Sequence, residues 1–134
     1  MTALDIHFKA IGGLLILLSF IHGIFPRYFN WEEDLKPLSL INRQMMKVHT
    51  FFIALVVFLV GLLCVGATQD LIHTPLGKFI SLGLGVFWFI RLAIQIFGYS
   101  SELWKGKKFE TMVHIMFTVF WAYMSVVFII NYVS

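Results

Sequence analysis

TFFIALVVFLVGLLCVGAT, Thr50 to Thr68, holds no charged residue. At 1.5 Å per residue, a helix of that length crosses most of the ~30 Å hydrocarbon core of a bilayer. Its Phe, Val and Ile content would favour a strand in water. In lipid, every backbone N–H and C=O must be satisfied within the segment, so a helix is expected instead. Working outward, runs of the same character occupy about Ala10 to Phe25, Phe79 to Phe97 and Thr111 to Ile130.

The whole composition agrees with that solvent. Of 134 residues, 60% are hydrophobic and 13% charged, whereas soluble domains carry about 25% charged residues. The fold class expected is an all-α polytopic membrane protein, an up-and-down bundle of four transmembrane helices at about residues 4–25, 40–68, 75–99 and 109–132, forming a single domain over 1–134. The net charge of +3 first reports orientation in a membrane chain, and no nucleic-acid partner is expected. Cys64 is the one cysteine, which excludes an intrachain disulfide and a cysteine-rich metal site. The start, MTALD, is acidic and no small-residue cleavage site follows the first apolar run, so that run reads as a retained span rather than a signal peptide.

The connections carry their own signals. Pro26 is expected to end the first helix. Residues Pro26 to Pro37 mix Tyr28, Phe29 and Trp31 with Glu32, Glu33 and Asp34, as a segment in the headgroup zone does. Ser39 is placed to cap the second helix. Thr68 to Pro75 reads as a short polar turn, with Thr74 and Pro75 as cap and first position of the third helix. The loop SSELWKGKK, Ser100 to Lys108, is basic, with Trp104 as an interfacial anchor. Alternate crossings put Arg27, Lys36, Arg43, Lys47, Lys105, Lys107 and Lys108 on one side and Lys9 and Lys78 on the other. That bias assigns the richer side to the cytoplasm of a bacterial-type inner membrane, with both termini outside.

The polar residues gather on the same side. His22 stands four residues before Pro26 and His114 four after Glu110, each about 6 Å inside its helix end. His49 opens the apolar part of the second helix, and Arg91 lies one turn deeper than Gln95 on one face of the third. Each helix shows one polar stripe at i, i+3 and i+4 steps: Ser19 and His22; Asn42 and His49; Ser81, Trp88, Arg91 and Gln95; Glu110, His114, Trp121 and Ser125. Such faces are expected to turn away from lipid, where a charge or imidazole costs several kcal/mol.

Three chemistries fit that constellation. A b-type haem would take neutral imidazoles from diagonal helices, His49 and His114, with Arg91 or His22 at its edge and Gln95 nearby. A transition metal, Zn, Cu or Fe, would take His22, His49 and His114, with Glu110 or water as fourth ligand. Met45, Met46, Met112 and Met116 lie at similar heights and would suit Cu(I). The third is a site for a quinone or other anionic or lipid-like molecule, with Arg91 and Gln95 as polar contacts and aromatic walls. Haem or a metal serving electron transfer is the leading expectation. The alternatives are a quinone or lipid binder centred on Arg91, and an accessory subunit of a larger membrane protein complex or a homo-oligomer, surrounded by membrane lipids.

Structural roles compete with each of these. A single intramembrane histidine commonly makes a helix-to-helix hydrogen bond, Arg91 could pair with Glu110 or reach past Gln95 to the surface, and methionines fill gaps. The layout resembles small four-helix membrane cytochromes b in size and in placing histidines on helices, with no motif that matches residue by residue. The chain has no dinucleotide-binding glycine loop, P-loop, HExxH or GxSxG sequence.

Overall fold

The computed structural model describes residues 2–134, which are 86% helical, with no strand among them. Four helices are long and apolar enough to cross a membrane. In chain order the helices are α1 (Ala3–Ile21), α2 (Phe25–Tyr28), α3 (Trp31–Asp34), α4 (Leu40–Gly66), α5 (Thr68–His73), α6 (Pro75–Phe97) and α7 (Lys108–Val133). Short 3-10 turns lie at His22–Ile24 and Ser101–Leu103. The chain divides into two compact units, Met1–Thr68 and Gln69–Ser134.

The first unit is an antiparallel hairpin of α1 and α4. Thr2 and Asp5 start α1 with a reciprocal capping box: the Thr2 hydroxyl accepts from Asp5 N–H, and the Asp5 carboxylate accepts from Thr2 N–H at 2.8 Å. The two long helices touch backbone to backbone. A Cβ on Gly61 would stand 2.9 Å from the carbonyl oxygen of Gly12, and one on Gly12 would stand 2.7 Å from that of Gly61. Without a hydrophobic force between helices in lipid, such close contact is what holds a pair together. Further along, Phe20 meets the edge of Phe58 with ring centroids 5.9 Å apart.

Pro26 does not end the first span. Helical backbone resumes as α2 with Pro26 in its first turn, so the span runs from Ala3 to Tyr28. Proline has no N–H to give to the carbonyl four residues earlier, that of His22. Phe25 N–H bonds that carbonyl instead, three residues on, which is why His22–Ile24 tightens into a 3-10 turn. The kink therefore sits at His22 itself. Asn30, with φ of 55°, then turns the chain into α3, a conformation Asn tolerates better than most residues.

Ser39 caps α4 by accepting from Asn42 N–H, and Thr74 caps α6 by accepting from Gly77 N–H at 2.9 Å with Pro75 in the first turn. The expected turn after the second helix is itself helical, as α5. Its Thr68 hydroxyl donates back to Cys64 O at 2.6 Å.

The second unit is an antiparallel hairpin of α6 and α7, with α5 folded against the start of α6. Gly77 makes that fold possible, since a Cβ there would run into the backbone of Asp70 and Leu71. Asn131, fully buried, ties the same end together: its Nδ2 donates to Leu71 O at 2.9 Å and to Ser81 Oγ at 2.7 Å. Lys78 Nζ caps the end of α7 through the carbonyls of Asn131 and Ser134, at 3.2 and 3.1 Å. The sequence alone did not single out Asn131.

Candidate functional site

Within the second hairpin, the antiparallel register brings Arg91, Gln95 and His114 together. Arg91 and Gln95 are one turn apart on α6 and share a face. Arg91 donates to Gln95 Oε1 at 3.2 Å, and Gln95 Nε2 lies 2.9 Å from Nδ1 of His114 on α7. Gln95 is 8% exposed, so this line of polar groups runs through a largely closed part of the helix pair.

The chain of bonds has a fixed sense. A guanidinium only donates, so Gln95 must turn its oxygen toward Arg91 and its amide nitrogen toward His114. The His114 Nδ1 then accepts, and the proton of the neutral ring resides on Nε2.

Aromatic rings enclose the line. Trp104 stacks on the His114 imidazole with centroids 3.8 Å apart and planes 13° from parallel. The Trp104 carbonyl, accepting from Thr111 Oγ at 2.6 Å, pins the loop to α7. The Arg91 guanidinium carbon lies 5.1 Å from the Trp121 ring centroid and 5.7 Å from that of Tyr99, both within cation–π range. Trp88 and Trp121 stack nearly parallel, 5.0 Å apart. Their buried indole nitrogens and Ser125 Oγ have no hydrogen-bond partner in the structure. Trp104, expected as a headgroup anchor, and Tyr99, expected only as a helix end, are thus residues of the site. The WKGKK loop gave the one hint, an aromatic two residues before a glycine that here takes φ of 77° at Gly106.

Arg91 has no carboxylate partner among the described residues. Glu110, considered as its ion-pair partner and as a metal ligand, is exposed near the start of α7 and makes no bond to it. The burden of the charge falls on one neutral amide and two ring faces.

In the first hairpin, His22 and His49 are not brought together. Phe20 stands against Phe58 and Ile16 against Gly61. Continuing that register sets His22 beside Val56, and His49 lies about seven residues further along α4, ~10 Å of helix rise. The His22 Nδ1 is 2.8 Å from the carbonyl of Leu18. A carbonyl only accepts, so Nδ1 carries the proton and the ring is turned back along α1, away from His49. His49 itself is exposed. Among the described residues no group of three or more His, Cys, Asp and Glu side chains is placed to hold a metal ion. Met45, Met46, Met112 and Met116 are all exposed, at 41 to 57%, as lipid-facing residues are.

Fold and site together define a polytopic helical membrane protein with an arginine-centred polar chain inside one helical hairpin. Set against known protein families, characterised proteins and solved structures, the chain matches none of them.

Proposed function

We propose that the protein binds a hydrophobic molecule with an oxygen-bearing head, an acidic lipid or a quinone, at Arg91, Gln95 and His114. One observation carries this: an intramembrane guanidinium that has no carboxylate partner among the described residues and is held by Gln95 and two aromatic faces. A charge at that depth costs several kcal/mol unless something answers it. A structural ion pair would have met that need from within the chain. A guanidinium without a carboxylate, flanked by aromatics, instead suits a ligand that brings oxygen atoms on an apolar body.

Haem b or a transition metal for electron transfer is the competing proposal, and the ring state of His22 favours it. With Nδ1–H given to a carbonyl, its Nε2 lone pair is available, as in many metal-bound histidines. His114 is in the opposite state, with Nδ1 engaged and Nε2 protonated. An absorption spectrum of the purified protein decides between them. A Soret band, or stoichiometric metal lost in His49→Ala or His114→Ala, would replace the ligand-binding reading with the cofactor one.

For ligand binding, the direct test is co-purification: lipid extracts of the wild-type protein and of Arg91→Met, compared by mass spectrometry. A lipid or quinone enriched on the wild type and lost from the variant is the expected result. Identical extracts would overturn it. We place the protein in a bacterial-type inner membrane with the Lys105–Lys108 loop in the cytoplasm, following the bias of the basic residues. A cysteine at Lys107 that reacts with an impermeant reagent from outside would reverse that orientation.

A further inference from the structure

We infer that the head group taken by this site is an oxyanion, a carboxylate or phosphate on an acyl chain, gripped by the unused N–H groups of Arg91. The inference rests on the ligand-binding proposal above and narrows it.

The first support is polarity. Gln95 Oε1 accepts from Arg91 and His114 Nδ1 accepts from the Gln95 amide, so both acceptors of the line are engaged. What is left beside Arg91 is the unused N–H groups of the guanidinium, since His114 turns its Nε2–H to the far side of its ring. Deeper in the same hairpin the indole N–H groups of Trp121, which touches Arg91, and of Trp88, together with Ser125 Oγ, are enclosed without a partner among the described residues. A guanidinium only donates, so it favours a head rich in acceptors over an alcohol or amide that must also place a hydrogen.

The second support is charge. A neutral carbonyl, such as a quinone oxygen, would satisfy one N–H and leave the guanidinium charge as it was. An oxyanion answers both, and its two oxygens match the guanidinium fork. The loop at the same end of the hairpin reinforces this, since Lys105, Lys107 and Lys108 outnumber Glu102 and Glu110. Net positive charge around a site of low dielectric raises the local concentration of anions.

The third support is depth. Arg91 precedes the end of α6 at Phe97 by six residues, ~9 Å of helix. Its side chain runs toward that end, to Gln95, Trp121 and Tyr99, which sets the charge at the border between head groups and lipid tails. An oxyanion at that level has its chain among lipid tails.

The test uses the full chain in phosphatidylcholine nanodiscs, with four probes: oleate, dioleoyl phosphatidic acid, oleyl alcohol and decylubiquinone. Affinity is read from radiolabelled or quenching ligand. The expected result is that oleate, phosphatidic acid or both bind at least tenfold tighter than oleyl alcohol and decylubiquinone. Arg91→Gln should erase that preference, and Arg91→Lys should keep part of it, with circular dichroism melts showing both variants folded. Which of the two anions wins identifies the head as carboxylate or phosphate. Equal binding of oleate and oleyl alcohol, or tightest binding of decylubiquinone, would overturn the oxyanion inference while leaving ligand binding at Arg91 standing. If no probe binds, both fall.

Discussion

Gly12 and Gly61 bring α1 and α4 into backbone contact, so the first hairpin is held by shape, with few polar bonds between its two long helices. The second hairpin joins its helices at the Arg91 end through side chains: Trp88 on Trp121, Arg91 on Trp121, Gln95 on His114. Its tight contact is at the opposite end, where Asn131 and Lys78 tie α7 to α5 and α6. The same task, joining two apolar helices in lipid, is done by small residues in one unit and by large polarisable ones in the other. Only the second arrangement includes a charged donor, Arg91, with N–H groups to spare. The first is a clamp; the second is closed at one end and chemically open at the other.

The largest expected effect separates those two kinds of contact. A Cβ on Gly61 meets backbone, Gly12 O at 2.9 Å and Ile16 N at 3.1 Å, so the helices themselves must part. Gly61→Ala should destabilise the protein by about 2 kcal/mol, within the range for overpacking a filled interior. At Gly85 the nearest atoms, at 2.6 and 2.9 Å, belong to the flexible end of the Ile129 side chain. Gly85→Ala should therefore stay within about 0.5 kcal/mol, because a rotamer change relieves the clash. Thermal melts of the two variants in one detergent make the comparison. Equal losses would mean that the second hairpin is clamped by glycine as well.

Next in size is the closed end of the second hairpin. Asn131→Ala leaves the buried Leu71 carbonyl and Ser81 hydroxyl without the amide that joins them. The expected loss is about 1–3 kcal/mol, the penalty for orphaned buried polar groups. Ser81 still donates to Gly77 O at 2.9 Å, which keeps the effect toward the lower part of that range. Hydrogen exchange should show the release confined to α5 and the adjoining ends of α6 and α7. Spread through the first hairpin as well, it would show that Asn131 holds more than its own unit.

A smaller effect of opposite sign is expected at the open end. Arg91 is an intramembrane charge answered by one neutral amide and two aromatic faces. Cation–π contacts return about 0.5–2 kcal/mol, less than the ~2.5–3.5 kcal/mol that insertion of an arginine costs at a helix centre. Arg91→Met should thus raise the stability of the ligand-free protein by about 1 kcal/mol while abolishing ligand binding, the trade expected where a site is kept at the expense of stability. A variant that is less stable without ligand would make Arg91 a structural residue.

The helices were legible in the sequence because lipid leaves the backbone one choice, and residues such as those of Thr50–Thr68 declare that solvent. Ser39, Thr74 and Pro75 were legible as caps for local reasons. So were Arg91 and Gln95 as one face, since i and i+4 need no tertiary information. Bringing His114 to them needed only antiparallel register. Pro26 was misread because a missing N–H can be absorbed upstream, by a 3-10 turn at His22–Ile24, without stopping the helix. The level of His22 and His49 was misread for a different reason. His22, counted from Pro26, and His49, at the start of an apolar run, were placed in one half of the membrane, but the Gly12–Gly61 contact and the Phe20–Phe58 pair set the register, and they offset the two histidines by ~10 Å. Trp104 was hidden because a loop residue's partner depends on how the loop folds back, here through Thr111 and Gly106.

The finest test of the contrast involves no change in stability at all. His22 gives its Nδ1 proton to the Leu18 carbonyl, within its own helix, while His114 accepts at Nδ1 from the Gln95 amide of the neighbouring helix. Two neutral histidines should therefore be in opposite tautomers, Nδ1–H at position 22 and Nε2–H at position 114. Nitrogen-15 spectra of histidine-labelled protein, assigned with His22→Gln and His114→Gln, distinguish protonated from bare ring nitrogens directly. Because Arg91 can only donate, it is Arg91 that holds Gln95 in the sense that fixes His114. Arg91→Met should free the amide to flip and let His114 populate the other tautomer, leaving His22 unmoved. A His114 signal indifferent to Arg91 would break the relay into two unrelated hydrogen bonds. A shift that follows Arg91 across both bonds would show that the guanidinium sets the donor pattern of the site from one helix to the next.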